Sequence, residues 1–293
     1  MEDRIITYGG QAVIEGVMMR GQKAAAIAMR APDGQIVTHT ERLSEIYRSK
    51  LTKVPFLRGM ILLWDALGLG MRALTIAANT QTPEGEKVEG APLYVTLAFS
   101  ILIAIGIFFA APALAGWFFE QTLSLGVYVG AFMEGLLRLG LLIGYIWAIG
   151  FLPDIRRLFG YHGAEHKTIN AYEAGAELTP ENVSRFSLEH PRCGTAFLLT
   201  LVVFSIFFFS LLGPLPIGVR LLSRIIFIPL LAGVAVEYIR WTANNLRSPL
   251  VRLLVRPNLA LQHLTTREPD RAMLEVAICS FKTMREAERE LVL

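Results

Sequence analysis

The run Tyr161-His162-Gly163-Ala164-Glu165-His166 holds the densest set of reactive side chains in this chain. On a helix, residues four apart share one face, one turn from each other, so His162 and His166 can turn two imidazole nitrogens toward a single cation, with Glu165 bordering the same face. Only five histidines occur in the sequence, and a third lies in His190-Pro191-Arg192-Cys193, which pairs a nitrogen with a sulfur ligand of the kind zinc accepts. The spacing therefore predicts a divalent metal ion, zinc or similar, on His162 and His166, with His190 or Cys193 as third ligand. All four ligands together would make a closed, structural shell, whereas three ligands and a water would make a catalytic one. Glu173 shares the helical face but lies eleven residues past His162, about 16 Å along a straight helix, and cannot reach the site without a break.

His-x-x-Glu-His is also the spacing of the inverzincins, in which two histidines hold zinc and the glutamate activates a water on it. That pattern makes Glu165 the candidate catalytic base. The plainer alternative is an exposed helix with two solvated histidines. A second feature is Gly9-Gly10-Gln11-Ala12-Val13-Ile14-Glu15-Gly16-Val17-Met18-Met19-Arg20. Read as one strand, it sets Glu15 on a face with Val13, Val17 and Met19, where a carboxylate needs a partner or a proton. Such a Glu15 bonds a cation or an arginine, or its pKa rises toward that of a general acid. An edge strand with Glu15 at solvent is the other reading.

The elements that must position these residues belong to a membrane protein. Of 293 residues, 53% are hydrophobic and 18% charged, with mean hydropathy +0.47, far to the apolar side of a soluble domain. The net charge of +3 is mild and the basic residues are spread along the chain, which leaves no nucleic-acid footprint. Ala91 to Phe119 and Cys193 to Val219 contain no charged residue, and each exceeds the ~20 apolar residues that cross a bilayer. A further span runs from Leu123 to Phe151, where Glu134 and Arg138 stand at i,i+4 and can neutralise each other. Val219 to Trp241 is a fourth span or a re-entrant helix, since its uncharged centre, Ile225 to Val236, is short. Trp117, Tyr128, Trp147 and Trp241 fall near the helix ends, as an aromatic belt does.

Lysine and arginine number eleven in residues 1 to 90, five in 153 to 192 and nine in 240 to 293. By the positive-inside rule both termini and the 153–192 loop are cytoplasmic. Cys193 and Cys279 then lie in a reducing compartment, where metal ligation is favoured over a disulfide. No removable signal peptide is visible after Met1. Val54 to Ala78 carries Arg58, Asp65 and Arg72 seven apart, and reads as an amphipathic helix on the inner membrane surface or against the bundle; the alternative is a fifth span, which would throw the 153–192 loop outside against the positive-inside rule. Ala24 to Arg30 and Gln35 to Glu41 flank the turn Pro32-Asp33-Gly34 and form a small β element. Asp270 can cap a C-terminal cytoplasmic helix whose apolar face is Leu274, Ala277, Ile278, Phe281 and Met284.

The expected architecture is an α-helical polytopic membrane protein. Its parts are an N-terminal β element (1–53), an amphipathic helix and linker (54–90), two spans (91–152), a metal-motif loop (153–195), two further spans (196–241) and a C-terminal segment (242–293).

Four stretches, 9–20, 161–167 (Tyr-His-Gly-Ala-Glu-His-Lys), 190–195 (His-Pro-Arg-Cys-Gly-Thr) and 264–269 (Leu-Thr-Thr-Arg-Glu-Pro), resemble, in the same order, the bacterial YqhQ-like family. The resemblance covers nearly the whole chain. It implies a predicted metal-dependent enzyme of the bacterial inner membrane, and brings no substrate or catalytic residue with it. The residues and the resemblance together point to a hydrolase at the cytoplasmic face, reaching a lipid headgroup, an amphiphile or a juxtamembrane peptide, with self-association into a homo-oligomer left open. The alternative is a scaffold, channel or transport protein with a structural metal knot, favoured by Glu134, Arg138, Glu237 and the Arg58-Asp65-Arg72 stripe.

Overall fold

The computed structural model describes residues 8–44, 54, 56–83, 90–122, 126–213 and 215–291. The N-terminal β element is a four-stranded antiparallel meander in the order β1 (Gly9–Val13), β2 (Gly16–Arg20), β3 (Ala24–Arg30) and β4 (Ile36–Arg42). Val13 pairs with Gly16, so Ile14 and Glu15 are a two-residue hairpin loop rather than the middle of one strand. This corrects the single-strand reading of residues 9–20. The turn moves Val13 to the opposite face from Val17 and Met19, and puts Glu15 at a φ of 52°, a left-handed conformation that non-glycine residues seldom adopt.

Both faces of the sheet are covered. Val17, Met19, Ala26 and Ala28 pack on α5 (Pro153–Glu173) and α10 (Arg271–Glu290), whereas Val13, Met18, Ala25, Ile27 and Met29 pack on Leu69, Ala73 and Ala77 of α1 (Leu57–Gln81). Two-sided burial is why β3 reads Ala-Ala-Ala-Ile-Ala-Met without polar alternation. Asp270 accepts the Met273 N–H at 2.8 Å and starts α10, whose predicted apolar face is buried throughout. Ser280 on that face donates to the Ala26 carbonyl at 2.9 Å and accepts from the Met19 N–H at 3.2 Å, tying helix to sheet.

Four helices are long and apolar enough to cross a membrane: residues 91–122, 128–149, 194–211 and 217–244. The first is α2 (Ala91–Ile105) and α3 (Ala111–Thr122) joined by a π-helical turn, Gly106–Ala110. The others are α4 (Val127–Ile149), α7 (Gly194–Leu211) and α8 (Ile217–Asn244). The Val219–Trp241 segment is therefore part of one 28-residue helix, with Pro229 inside it. The amphipathic segment forms α1, which packs on both α8 and the sheet; the side chains of Arg58 and Asp65 lie outside the described residues. Between the spans, α6 (Pro180–Val183) is a single turn, and after them α9 (Pro249–Thr265) runs back along α7.

Candidate metal centre

Helix α5 begins at Pro153, a residue suited to a first turn because it has no N–H to leave unpaired. From Phe159 to Ile169 it is almost wholly interior. Its His162 and His166 are held in the same way. Nδ1 of His162 lies 2.8 Å from the Thr265 carbonyl, and Nδ1 of His166 lies 2.5 Å from the Leu188 carbonyl. A carbonyl only accepts, so each Nδ1 carries the hydrogen and each Nε2 presents a lone pair. This is the orientation in which a metal-ligating histidine is held by its outer partner. Gly163 makes it possible: a Cβ there would stand 2.2 Å from the Arg267 carbonyl and 2.8 Å from Leu188 Cδ2, and would push away the 265–268 segment.

The third ligand atom comes from the start of α7. Cys193 is that helix's N-cap residue, and its Sγ lies 3.2 Å from His162 Nε2 and 3.1 Å from Thr195 Oγ1. One atom each from His162, His166 and Cys193 fall within 4.8 Å of one another. His190 stands beside them, its ring 5.6 Å from that of His166, but its Nε2 lies 3.3 Å from Arg192 Nη2 and is turned to that donor. Gln262 pins His190 through its backbone, accepting its N–H at 2.9 Å and donating to its carbonyl at 2.8 Å. Burial, then the charge of Arg192, pushes the His190 pKa down to about 3, so the ring is neutral. Of the two candidates for third ligand, Cys193 joins the cluster and His190 adjoins it.

Two buried atoms of α5 have no hydrogen-bond partner among the described residues: Nε2 of His166, a member of the cluster, and Oε2 of Glu165, which is not one. Unpaired polar atoms cost free energy when buried, so such a pair calls for an explanation. A cation among His162, His166 and Cys193 supplies one for His166, and two imidazoles with a thiolate suit zinc. Glu165 accepts from the Gly10 N–H, and burial pushes its carboxyl up to about 7 against the opposing pull of His162 and that bond. Gly10 has to lack a side chain, because a Cβ there would stand 2.6 Å from the Met18 carbonyl and 2.9 Å from Glu165 Cδ. Glu165 and Cys193 also line a cavity of about 200 Å³, whose wall includes Gly10, Gln11, Arg20, Leu69 and Arg192.

Comparison with known proteins places this chain in a family. The family described as "Protein of unknown function (DUF1385)" matches residues 54–287, a stretch that contains His162, Glu165, His166, His190 and Cys193. The chain belongs to this family. It is 35% identical over 298 residues to the "Uncharacterized protein YqhQ" of Bacillus subtilis (strain 168), an alignment covering 96% of this chain and 93% of that one. No solved structure matches it.

Other residues of this DUF1385 chain hold the centre from outside. Glu15 does not reach the cluster. Its carboxylate accepts two 2.6 Å bonds from the Arg157 guanidinium and one of 3.2 Å from the Tyr161 hydroxyl, which fastens the first hairpin to α5 just before His162. Arg157 holds the Glu15 carboxyl below its usual pKa, so of the predicted alternatives the arginine partner is the one found. Gly10, Gln262, Leu188, Thr265 and Arg192 were not singled out by their chemistry. Three of them act through backbone groups, which every residue type carries; for Gly10 and Thr265 the only signals were the Gly9-Gly10 pair and the 264–269 stretch.

Proposed function

We propose that this membrane protein is a metal-dependent enzyme, a hydrolase, in which His162, His166 and Cys193 hold a zinc-like divalent ion and Glu165 is the general base. The observation that carries this reading is the meeting of three ligand atoms within 4.8 Å next to a buried carboxylate oxygen with no partner, beside a cavity. Three protein ligands leave a tetrahedral ion one open position, as in catalytic rather than structural zinc sites. A bound ion supplies Lewis acidity and makes water acidic enough to ionise near neutral pH. Glu165, beside His166 and with an Oε2 that has no partner among the described residues, would take a proton from the attacking water and return it to a leaving group. Gly10 holds the carboxylate in place, and the Thr265 and Leu188 carbonyls keep the histidines in the ligating tautomer. The basic-residue distribution supports a site at the cytoplasmic face of the bacterial inner membrane, with both termini in the cytoplasm.

Metal analysis of purified protein tests the site. The wild type should carry bound divalent metal, and the double variant His162→Ala/His166→Ala should lose it stoichiometrically; unchanged metal content would end the reading. Glu165→Gln then separates catalysis from architecture. It should keep metal and fold while the function scored by genetic complementation falls by ~10² to 10⁴. A variant with metal, stability and full biological activity would remove Glu165 as the base.

A further inference from the structure

The cavity beside the cluster has a wall richer in positive charge than a metal site needs. Arg20, the last residue of β2, and Arg192, just before Cys193, both line it, as does Gly194, the first residue of the 18-residue helix α7. A helix start carries the positive end of the peptide dipoles; in α7 the Thr195 and Ala196 N–H groups are taken by the Cys193 Sγ and carbonyl, so the dipole end at Gly194 is what borders the cavity. Arg192 is only partly engaged: its Nη2 meets Glu173 and His190 Nε2, while its Nε is buried without an acceptor among the described residues. Among the described residues Glu165 is the acidic side chain in the lining, beside Arg20 and the Glu173-paired Arg192, and its Oε2 has no partner among them.

Size and place narrow the ligand. About 200 Å³ is less than the ~300–1,000 Å³ that encloses a whole drug-sized molecule, so the cavity takes a headgroup and not an entire amphiphile. Its lining includes Gly194, where α7, one of the four apolar helices, begins, and Leu69 of α1. Arg20 and Arg192 each already have a protein partner, and the donors left on two guanidiniums and a helix N-terminus suit an oxyanion with several acceptor oxygens. The three oxygens of a phosphoryl group match them.

We propose that this cavity binds a phosphoryl group, carried either by a phospholipid headgroup or by a soluble phosphoester, with Arg192, Arg20 and the N-terminus of α7 as its hosts. The inference deepens the hydrolase reading by naming its substrate class, and it rests on that reading for the chemistry that follows binding. Binding itself uses residues outside the ligand cluster.

Calorimetric titration of the purified full-length protein in detergent tests it, using both zinc-loaded and chelator-treated samples. The probes are inorganic phosphate, dioctanoyl phosphatidic acid and, as a carboxylate control, butyrate. Phosphate should bind both samples, more tightly with zinc. Arg192→Gln should weaken it at least about tenfold with zinc stoichiometry unchanged, and Glu173→Gln, which removes the carboxylate competing for Arg192, should tighten it. Tighter binding of phosphatidic acid than of phosphate identifies a lipid source; equal binding identifies a soluble one. Should Arg192→Gln fail to fold, Arg20→Gln and Glu173→Gln carry the same test. The proposal falls if phosphate binds neither sample, if the arginine variants bind it as the wild type does, or if butyrate binds as tightly. Phosphate binding without zinc binding would overturn the metal reading alone, and zinc binding without phosphate binding this one alone.

Discussion

Glu134 and Glu165 are both buried carboxylates, 1% and 5% exposed, and they are treated in opposite ways. Glu134, in the span α4, accepts from Arg138, Arg220 and Arg224 at 2.7 to 3.0 Å. Arg220 also grips Glu120 through two 2.9 Å bonds, and Arg138 donates to the Phe108 carbonyl exposed by the π-helical turn. Glu165 has one backbone N–H and an oxygen with no partner among the described residues. A charge in an apolar surrounding is tolerated when partners surround it, so the Glu134 hub reads as a fastening between spans. An oxygen left bare in the interior reads as one reserved for something that arrives later.

The comparison breaks most visibly at the hub. Glu134→Gln leaves Arg138 and Arg224 without a carboxylate partner and Arg220 with Glu120 alone, and should cost about 3–5 kcal/mol, seen as a large fall in the unfolding midpoint in detergent. Glu165→Gln should leave that midpoint nearly unchanged. Equal losses in the two variants would erase the distinction. Gly10→Ala is a finer probe, because its Cβ falls 2.9 Å from Glu165 Cδ. It should keep bound metal, measured by elemental analysis, and lower activity without reaching the loss from Glu165→Gln.

The smallest effect belongs to the Glu15–Arg157 pair, whose side chains are 24% and 52% exposed. Because the folded-state pKa of Glu15 lies below its ordinary 4.5, the pair's contribution is fully present above that value and disappears as pH falls through the folded pKa. Solvent screening limits it to ~0.2–1 kcal/mol. Glu15→Gln should flatten the stability profile below about pH 4.5 and leave neutral-pH activity intact, as followed by thermal melts across pH.

The two regions also differed in how far they could be read from residue order. The i,i+4 spacing of Glu134 and Arg138 announced their pairing, because both sit on one helix; Arg220 and Arg224, on another, needed the three-dimensional packing. His162, Glu165 and His166 were legible for the same local reason, and so were the spans, from apolar length alone. The hairpin was not. Period-2 reasoning carries a face along only while the strand continues, and nothing before Glu15 marks the reversal except Gly16, which follows it. Nor does the sequence separate His190 from Cys193 as third ligand, since that depends on Gln262, seventy-two positions from His190, holding the loop at one height.

The Thr265 carbonyl that fixes His162 and the Gln262 amide that fixes His190 both lie in α9, beyond the last of the four apolar helices. During synthesis the histidine helix emerges about a hundred residues before them, a lag of roughly 5–20 s at ~5–20 residues per second. Through that interval His162 lacks its anchor, and a chain arrested or clipped before residue 262 keeps every ligand yet lacks the parts that aim them. Assembly of the His162, His166 and Cys193 cluster thereby becomes a late event: its geometry is complete only once the final segments have folded back onto α5 and the 188–193 stretch.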